Sequence, residues 1–263
     1  MNSLLPCGAH GIQPQLFPIM NSIFRLKSIY LTVFAFLAPL MVLPTNAQVA
    51  PLNAADPLTF KAGGKPIVIP LPTRDMIEIG YENHGFMELG VPSSNRLLAG
   101  FVKPDELPHL INKPGEYPLS KYAMVQVVRN CEFTDFEASD FNDAVDDFKK
   151  NMGDNLDTAT KEGTEEMNRR LAALDSDQTK LSLSKPIQLG CIFSKQDAFG
   201  YSMVLPLAMN GNSINMGTSC AFLRVRKRLL VVYLYSEYKS VATIQWLNKT
   251  TEEWVDAILG ANK

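Results

Sequence analysis

Four apolar segments near the C-terminal end are separated by short polar turns, a pattern typical of an antiparallel meander. These segments predict strands at 186–193, 199–209, 214–225 and 228–235. The second, FGYSMVLPLAM, and the fourth, RLLVVYLY, are apolar at nearly every position rather than at alternate ones. Strands of this composition are buried on both faces. We therefore expect a layer of structure on each side of the sheet.

Amphipathic segments are available to form those layers. From Ser139 onward, apolar residues recur at steps of three and four, which predicts a helix. They are Phe141, Val145, Phe148, Met152 and Leu156. Gly153 is expected to separate this helix from a second one at 158–174. The pattern at 240–259 predicts a C-terminal helix, with Gly260 as its stop.

The N-terminal part of the folded region offers shorter strands. Segments 58–61 and 66–71 flank the turn AGGK at 62–65, whose two glycines permit the positive φ angles of a tight hairpin. Two more strands are predicted at 96–102 and 122–129, and the loop between them contains four prolines. The predicted order is early strands, helix, meander and final helix.

The start of the chain has the layout of a secretory signal peptide. Arg25 and Lys27 precede an apolar run at 29–44, and a small residue, Ala47, follows at the expected cleavage site. The run is shorter than the ~20 residues that a bilayer-spanning helix needs. The sequence therefore predicts a periplasmic or secreted protein. The alternative is an uncleaved leader, and only in that case do we expect contact with a membrane.

These signals divide the chain into three parts. Residues 1–47 are the predicted signal peptide, 48–57 a polar linker and 58–263 a single α+β domain. The first 19 residues carry no Lys or Arg, which is unusual for a leader. Because Met20 begins a repeat of the opening Met-Asn-Ser, we expect it to be the true start.

The segments RLLAGFV, YAMVQVV and RLLVVYLYSEY, the last running on toward TIQWLNKTTEEWVDAIL, resemble the PsbP-like exported bacterial proteins. The likeness covers roughly residues 58–260 as a pattern of elements and includes no catalytic signature. It implies an antiparallel sheet of about six strands covered by helices on both faces. It also implies an accessory or binding role rather than an enzymatic one.

Charge and composition exclude several classes of protein. With 46% hydrophobic and 20% charged residues, the chain is neither disordered nor a multi-span membrane protein. A formal net charge of −2 leaves no broad basic field, so no nucleic-acid partner is expected. One basic cluster stands out, formed by Arg224, Arg226, Lys227 and Arg228. It is a candidate surface for an acidic partner, a polyanionic envelope polymer or anionic lipid headgroups, and the alternative is a hairpin turn kept soluble by its charge.

The best candidate for a ligand site is the loop YENHGFMELG. It places Tyr81 and Phe86 beside the titratable His84, so that aromatic rings and an imidazole can line a small pocket. The alternative is a loop that packs its aromatic side chains on the core. No phosphate loop, zinc motif or nucleophile elbow is present, so no metal or cofactor is expected.

Three cysteines follow the leader, and export would place them in an oxidising compartment. If the meander forms, Cys191 and Cys220 lie two strands apart, about 9–10 Å, beyond the ~7 Å limit for a disulfide. A bond from Cys131 to Cys191 or Cys220 is therefore favoured, with three buried thiols as the alternative.

We expect an exported envelope binding protein without catalytic activity. The alternative is a hydrolase whose site is assembled around His84, His109 or Cys131.

Overall fold

The structure is a computed structural model, and it describes residues 58–88, 90–112, 119–174, 181–209 and 212–263. The predicted signal peptide at 1–47 and the predicted linker at 48–57 lie outside the described residues. The fold that follows is therefore that of the predicted domain, which begins at Leu58.

Ten strands and four α-helices occur in the described residues. The strands are β1 (Leu58–Ala62), β2 (Lys65–Ile69), β3 (Ile77–Glu78), β4 (Asn95–Val102), β5 (Lys121–Val128), β6 (Leu181–Leu183), β7 (Ile187–Lys195), β8 (Ala198–Met209), β9 (Asn212–Val225) and β10 (Arg228–Glu237). The helices are α1 (His84–Glu88), α2 (Leu107–Asn112), α3 (Ala138–Leu174) and α4 (Val241–Ala261). The four predicted strands of the meander and the predicted hairpin are confirmed by β7–β10 and by β1 and β2.

Eight strands form one antiparallel sheet in the order β3-β4-β5-β10-β9-β8-β6, and β7 pairs with the same edge of β8 as β6. Strands β1 and β2 form a separate two-stranded sheet. The prediction of a sheet of about six strands is therefore wrong, because the large sheet has eight. Strands β3 and β6 are too short to show any periodicity, so the sequence pattern did not reveal them.

The middle of the large sheet is formed by two strands that are distant in sequence. Strand β10 pairs with β5 through seven residue pairs, for example Leu230 opposite Val127. Nine of the ten residues of β10 are buried, which matches its continuous apolar sequence. The β5–β10 pair thus joins the N-terminal strands to the C-terminal meander.

Each face of the sheet packs against different elements. One face, here called the α3 face, packs against Phe141, Phe148 and Leu156 of α3. The opposite face packs against α4, with Trp254 at its centre, and against the β1–β2 hairpin. The prediction that helices cover both faces is therefore wrong. On the face that packs against α4, the β1–β2 hairpin forms part of the covering layer. The hairpin is held there by Trp254, whose Nε1 donates to the carbonyl of Pro70 at 2.7 Å.

The helix boundaries differ from the prediction at two glycines. Helix α3 continues through Gly153 as one helix of 37 residues, because glycine costs a helix only about 1 kcal/mol and the buried stripe continues on both sides of it. Helix α4 continues through Gly260 and ends at Ala261. The side chain of Asn262 then donates to the carbonyl of Ile258 at 2.8 Å and closes the helix. None of the described helices combines the length and the apolar composition needed to cross a bilayer.

Candidate functional site

The predicted ligand loop forms a compact structure around a buried contact between a histidine and a glutamate. His84 Nε2 lies 2.9 Å from Glu78 Oε1, and both side chains are only 7% exposed. The other carboxylate oxygen of Glu78 accepts from the backbone nitrogen of Gly80 at 2.7 Å. Gly80 has a φ of 81°, a conformation that favours glycine. His84 is therefore held at the start of α1 by a partner six residues earlier in the chain.

The structure brings two of the three predicted ligand residues together. The ring of Tyr81 is 87% exposed, and its centroid lies 5.4 Å from that of His84. Phe86 belongs to α1, but its side chain lies outside the described residues. Because His84 is buried against Glu78, it fixes the position of α1 rather than facing solvent.

A cavity of about 430 Å³ lies beside this helix, and we call it the α1 pocket. It is lined by Gly85 and Glu88 of α1, by the segment 91–93 and Asn95, and by Arg129 and Arg170. Its size falls within the roughly 300–1,000 Å³ typical of small-molecule sites. The loop identified from the sequence therefore contributes to a pocket, although through other residues than those predicted.

The two arginines of the α1 pocket have different roles. Arg170 donates to the carbonyls of Val91 at 2.7 Å and Glu88 at 3.2 Å, and it pairs with Glu166. It therefore anchors α3 to the loop. Arg129 is exposed, and its Nε donates to the carbonyl of Asn95 at 2.7 Å. This bond orients the guanidinium, whose charge also acts on Glu132. No other side-chain hydrogen bond of Arg129 occurs among the described residues, so its terminal nitrogens can contact a ligand.

The pocket also touches a polar pair inside the protein. Asn95 lines the pocket and is 1% exposed, and its Nδ2 donates to Gln126 Oε1 at 2.8 Å. Gln126 is fully buried on the α3 face, and its Nε2 has no hydrogen-bond partner among the described residues. A buried polar group without a partner costs about 1–3 kcal/mol, so this arrangement needs an explanation.

A second polar region, the phenol cluster, lies deeper on the α3 face. It consists of Tyr122, Tyr201, Cys220, Tyr233 and Tyr235, all at most 3% exposed. Strand register places Tyr201, Cys220 and Tyr233 side by side, and Tyr122 beside Tyr235 in the next row. The rings of Tyr122 and Tyr235 stack with centroids 4.4 Å apart.

The hydroxyl groups of this cluster are poorly satisfied. Those of Tyr122, Tyr201 and Tyr233 have no hydrogen-bond partner among the described residues, and neither has that of the adjacent Thr218. Burial raises the pKa of the Cys220 thiol to about 12. The hydroxyls of Tyr201 and Tyr233 lie close enough to oppose that shift, although neither makes a hydrogen bond of normal geometry. Burial likewise raises the pKa values of the tyrosines well above the usual range, so all of them are neutral.

The predicted basic cluster is paired within the chain. Arg224 binds Asp197, Lys227 binds Glu137, Arg228 binds Asp135, and Arg226 donates to the backbone carbonyl of Pro66 at 2.9 Å. These four residues surround the β9–β10 turn and connect it to the β1–β2 hairpin, to the β7–β8 turn and to the segment just before α3. The contacts favour the structural interpretation of the cluster over a surface for an anionic partner.

No disulfide joins any two of the three cysteines that the structure describes. Register places Cys191 opposite Tyr201 and Tyr201 opposite Cys220, so the prediction that Cys191 and Cys220 lie two strands apart is confirmed. Cys191 is exposed, whereas Cys131 and Cys220 are buried. The predicted bond from Cys131 to one of the others is not formed in the structure.

The candidate groups for hydrolysis are in separate elements. His84 begins α1 and binds Glu78, His109 lies in α2, and Cys131 follows β5 and approaches the carbonyl of Val128 at 3.6 Å. No group of three or more potential metal ligands occurs in the described part of the chain.

Comparison with known proteins does not place the chain in a family, since no protein-family model and no curated protein matches its sequence.

Proposed function

We propose that this protein is an exported envelope binding protein without catalytic activity, and that it binds a small anionic molecule in the α1 pocket. The leader-like N-terminal sequence supports export to the periplasm or the medium. The observation that carries the binding role is the exposed Arg129 guanidinium, oriented by one backbone carbonyl at the wall of a cavity of about 430 Å³.

The charge of Arg129 sets the chemistry of the proposed ligand. A guanidinium presents paired donors that match a carboxylate or a phosphate in a bidentate geometry. The other arginine of the pocket, Arg170, is already bound to Glu166 and to backbone carbonyls. Arg129 is therefore the cation that would hold the ligand, while Arg170 keeps α3 in place as the pocket wall.

A binding role also agrees with the surroundings of the candidate catalytic groups. A nucleophilic mechanism needs a nucleophile within hydrogen-bond reach of a base. The contacts of His84 are with Glu78 and with the ring of Tyr81, and Cys131 is buried beside the carbonyl of Val128. These contacts give His84 a structural role, since the side chains of His84 and Glu78 are both only 7% exposed.

The test is native mass spectrometry of the full chain expressed in its own host and purified without denaturation. We expect a bound small molecule that is released on denaturation and that is lost in Arg129→Gln. Arg169→Gln is the matched control, because Arg169 is an exposed arginine of α3 outside the pocket lining. No bound molecule in the wild type, or equal retention in both variants, would contradict the proposed site.

The same samples test export. If the leader is removed, the mass of the purified wild-type chain corresponds to a protein that begins at Gln48. A mass that includes the predicted signal peptide would contradict export with cleavage. This outcome is independent of ligand retention, so the two parts of the proposal are tested separately.

A further inference from the structure

Charges of both signs line the α1 pocket. Its lining includes Glu88, the last residue of α1, as well as Arg129 and Arg170. The backbone carbonyl of Glu88 accepts from Arg170 at 3.2 Å and from the nitrogen of Val91 at 3.0 Å, so the end of α1 is held in place. The Glu88 side chain is exposed, and its carboxylate makes no hydrogen bond or ion pair within the described residues. Glu88 therefore adds an unpaired negative charge to the lining of the cavity.

Arg129 supplies the positive charge of the same cavity. Its Nε donates to the carbonyl of Asn95 at 2.7 Å. Its charge also acts on Glu132, but the carboxylate of Glu132 is bound directly to Arg96. Arg129 therefore forms no ion pair of its own in the part of the chain that the structure describes. A ligand can reach its guanidinium without first breaking such a pair.

The balance of these charges limits the kind of ligand that the pocket can favour. Arg170 leaves the balance unchanged, because it forms an ion pair with Glu166. Arg129 and Glu88 line one cavity with opposite charges, and across the described ranges no ion pair joins them. A ligand with a negative charge alone would be attracted by Arg129 but repelled by Glu88. A ligand that carries both charges would be attracted by each of them.

From these charges, we propose that the ligand of the α1 pocket is a free amino acid with an apolar side chain, held by its carboxylate at Arg129 and by its ammonium group at Glu88. The inference rests on the proposed function and narrows it, because the anionic group at Arg129 then belongs to a zwitterion. A guanidinium binds a carboxylate through two parallel hydrogen bonds, and a carboxylate accepts strongly from an ammonium group. Val91 and Pro92 form the apolar part of the lining, against which the ligand side chain would pack.

The experiment is isothermal titration calorimetry of the purified full-length chain with three matched probes. L-Leucine carries both charged groups, 4-methylpentanoate lacks only its ammonium group, and 3-methylbutylamine lacks only its carboxylate. We expect leucine to bind the wild type at least about tenfold more tightly than either of the other two. Each charged hydrogen-bonding contact contributes about that factor.

Two variants and one control assign the charged groups of the ligand to residues. Glu88→Gln should weaken leucine binding about tenfold, whereas 4-methylpentanoate should bind equally well or better, because the repelling carboxylate is gone. Retained binding of 4-methylpentanoate also shows that this variant is folded. Arg129→Gln should weaken the binding of both carboxylate probes. Glu162→Gln is the control, because Glu162 is an exposed glutamate of α3 outside the pocket lining, and it should bind all three probes as the wild type does.

The outcomes separate this inference from the proposed function. Unchanged leucine binding in Glu88→Gln would overturn the inference, and so would wild-type binding of 4-methylpentanoate as tight as that of leucine. Either result would leave an anion site at Arg129 intact. Absence of binding by both carboxylate probes would also overturn the inference, while native mass spectrometry would still decide the proposed function.

The molecule released in that mass-spectrometric experiment gives a second measurement. Treatment with dansyl chloride, which reacts with primary amines, should increase its mass by one dansyl group. A released molecule that does not react would overturn the amino acid but not the anion site.

Discussion

Substitution of the two glycines in the β1–β2 turn tests whether the hairpin rests against the backbone of Glu132. Both glycines have a positive φ angle, but only one of them has close neighbours. Gly63 and Gly64 both have positive φ angles, 52° and 78°. A Cβ atom added to Gly63 would lie less than 3.0 Å from the backbone oxygen of Glu132 and 2.6 Å from Nε of Arg228. A Cβ atom added to Gly64 would meet nothing within 4 Å.

Alanine at either position adds the cost of a left-handed residue, about 1–2 kcal/mol. Gly64→Ala should lower the free energy of unfolding by that amount alone. In Gly63→Ala the hairpin must also move away from Glu132. This movement breaks the bond from the Gly63 nitrogen to Glu132 Oε1, at 3.1 Å, and the bond from Arg228 to the Gly63 carbonyl, at 3.3 Å. Each bond involves a charged group and contributes about 1.5–3 kcal/mol, so Gly63→Ala should cost at least about 3 kcal/mol more than Gly64→Ala.

Urea unfolding of the full chain measures both variants against the wild type. Hydrogen exchange locates the effect, since β1 and β2 should exchange faster in Gly63→Ala while β8 and β9 remain protected. Equal destabilisation by the two variants would refute the reasoning, because it would show that the hairpin does not rest on the Glu132 backbone.

Three further predictions concern individual side chains. Cys191 should react with a thiol reagent at pH 8 in the folded chain, whereas Cys220 should react only after unfolding, because it is buried and its pKa is about 12. Burial raises the pKa of Glu132, but Arg96 and the Gly63 nitrogen outweigh it and hold that pKa below its usual range. The wild type should therefore lose stability relative to Glu132→Gln as the pH falls below about 4.3, and urea midpoints at several pH values would detect this. Asn262→Ala should cost about 2–4 kcal/mol in urea unfolding, because this buried side chain bonds to both backbone groups of a β2 residue and to the end of α4.

Apolar strands were the predictable part of the fold. Strands β8 and β10 are apolar at nearly every position, and this pattern correctly indicated that both faces are buried. The size of the sheet was not predictable, because β3 has two residues and β6 three. The predicted helix break at Gly153 was wrong, because one glycine destabilises a helix by less than the buried contacts on either side of it stabilise this one.

Of the candidate site, the sequence identified the loop but not its chemistry. The pairing of His84 with Glu78 crosses a turn at Gly80 and leaves no periodic signal. The two-residue spacing of Tyr233 and Tyr235 in a predicted strand does place them on one face. That Tyr201 lies in the same row as Tyr233 depends on strand register, which the pattern of one sequence does not determine.

The pairing of β5 with β10 has a consequence for how the chain matures. During synthesis β5 emerges long before β10, and until then its inner edge has no neighbour to which it can hydrogen-bond. The N-terminal strands therefore depend on the last third of the polypeptide to complete the sheet, an arrangement of high contact order that delays folding. Such a delay makes the unfinished chain a natural substrate for chaperones, and it is compatible with the export that we propose.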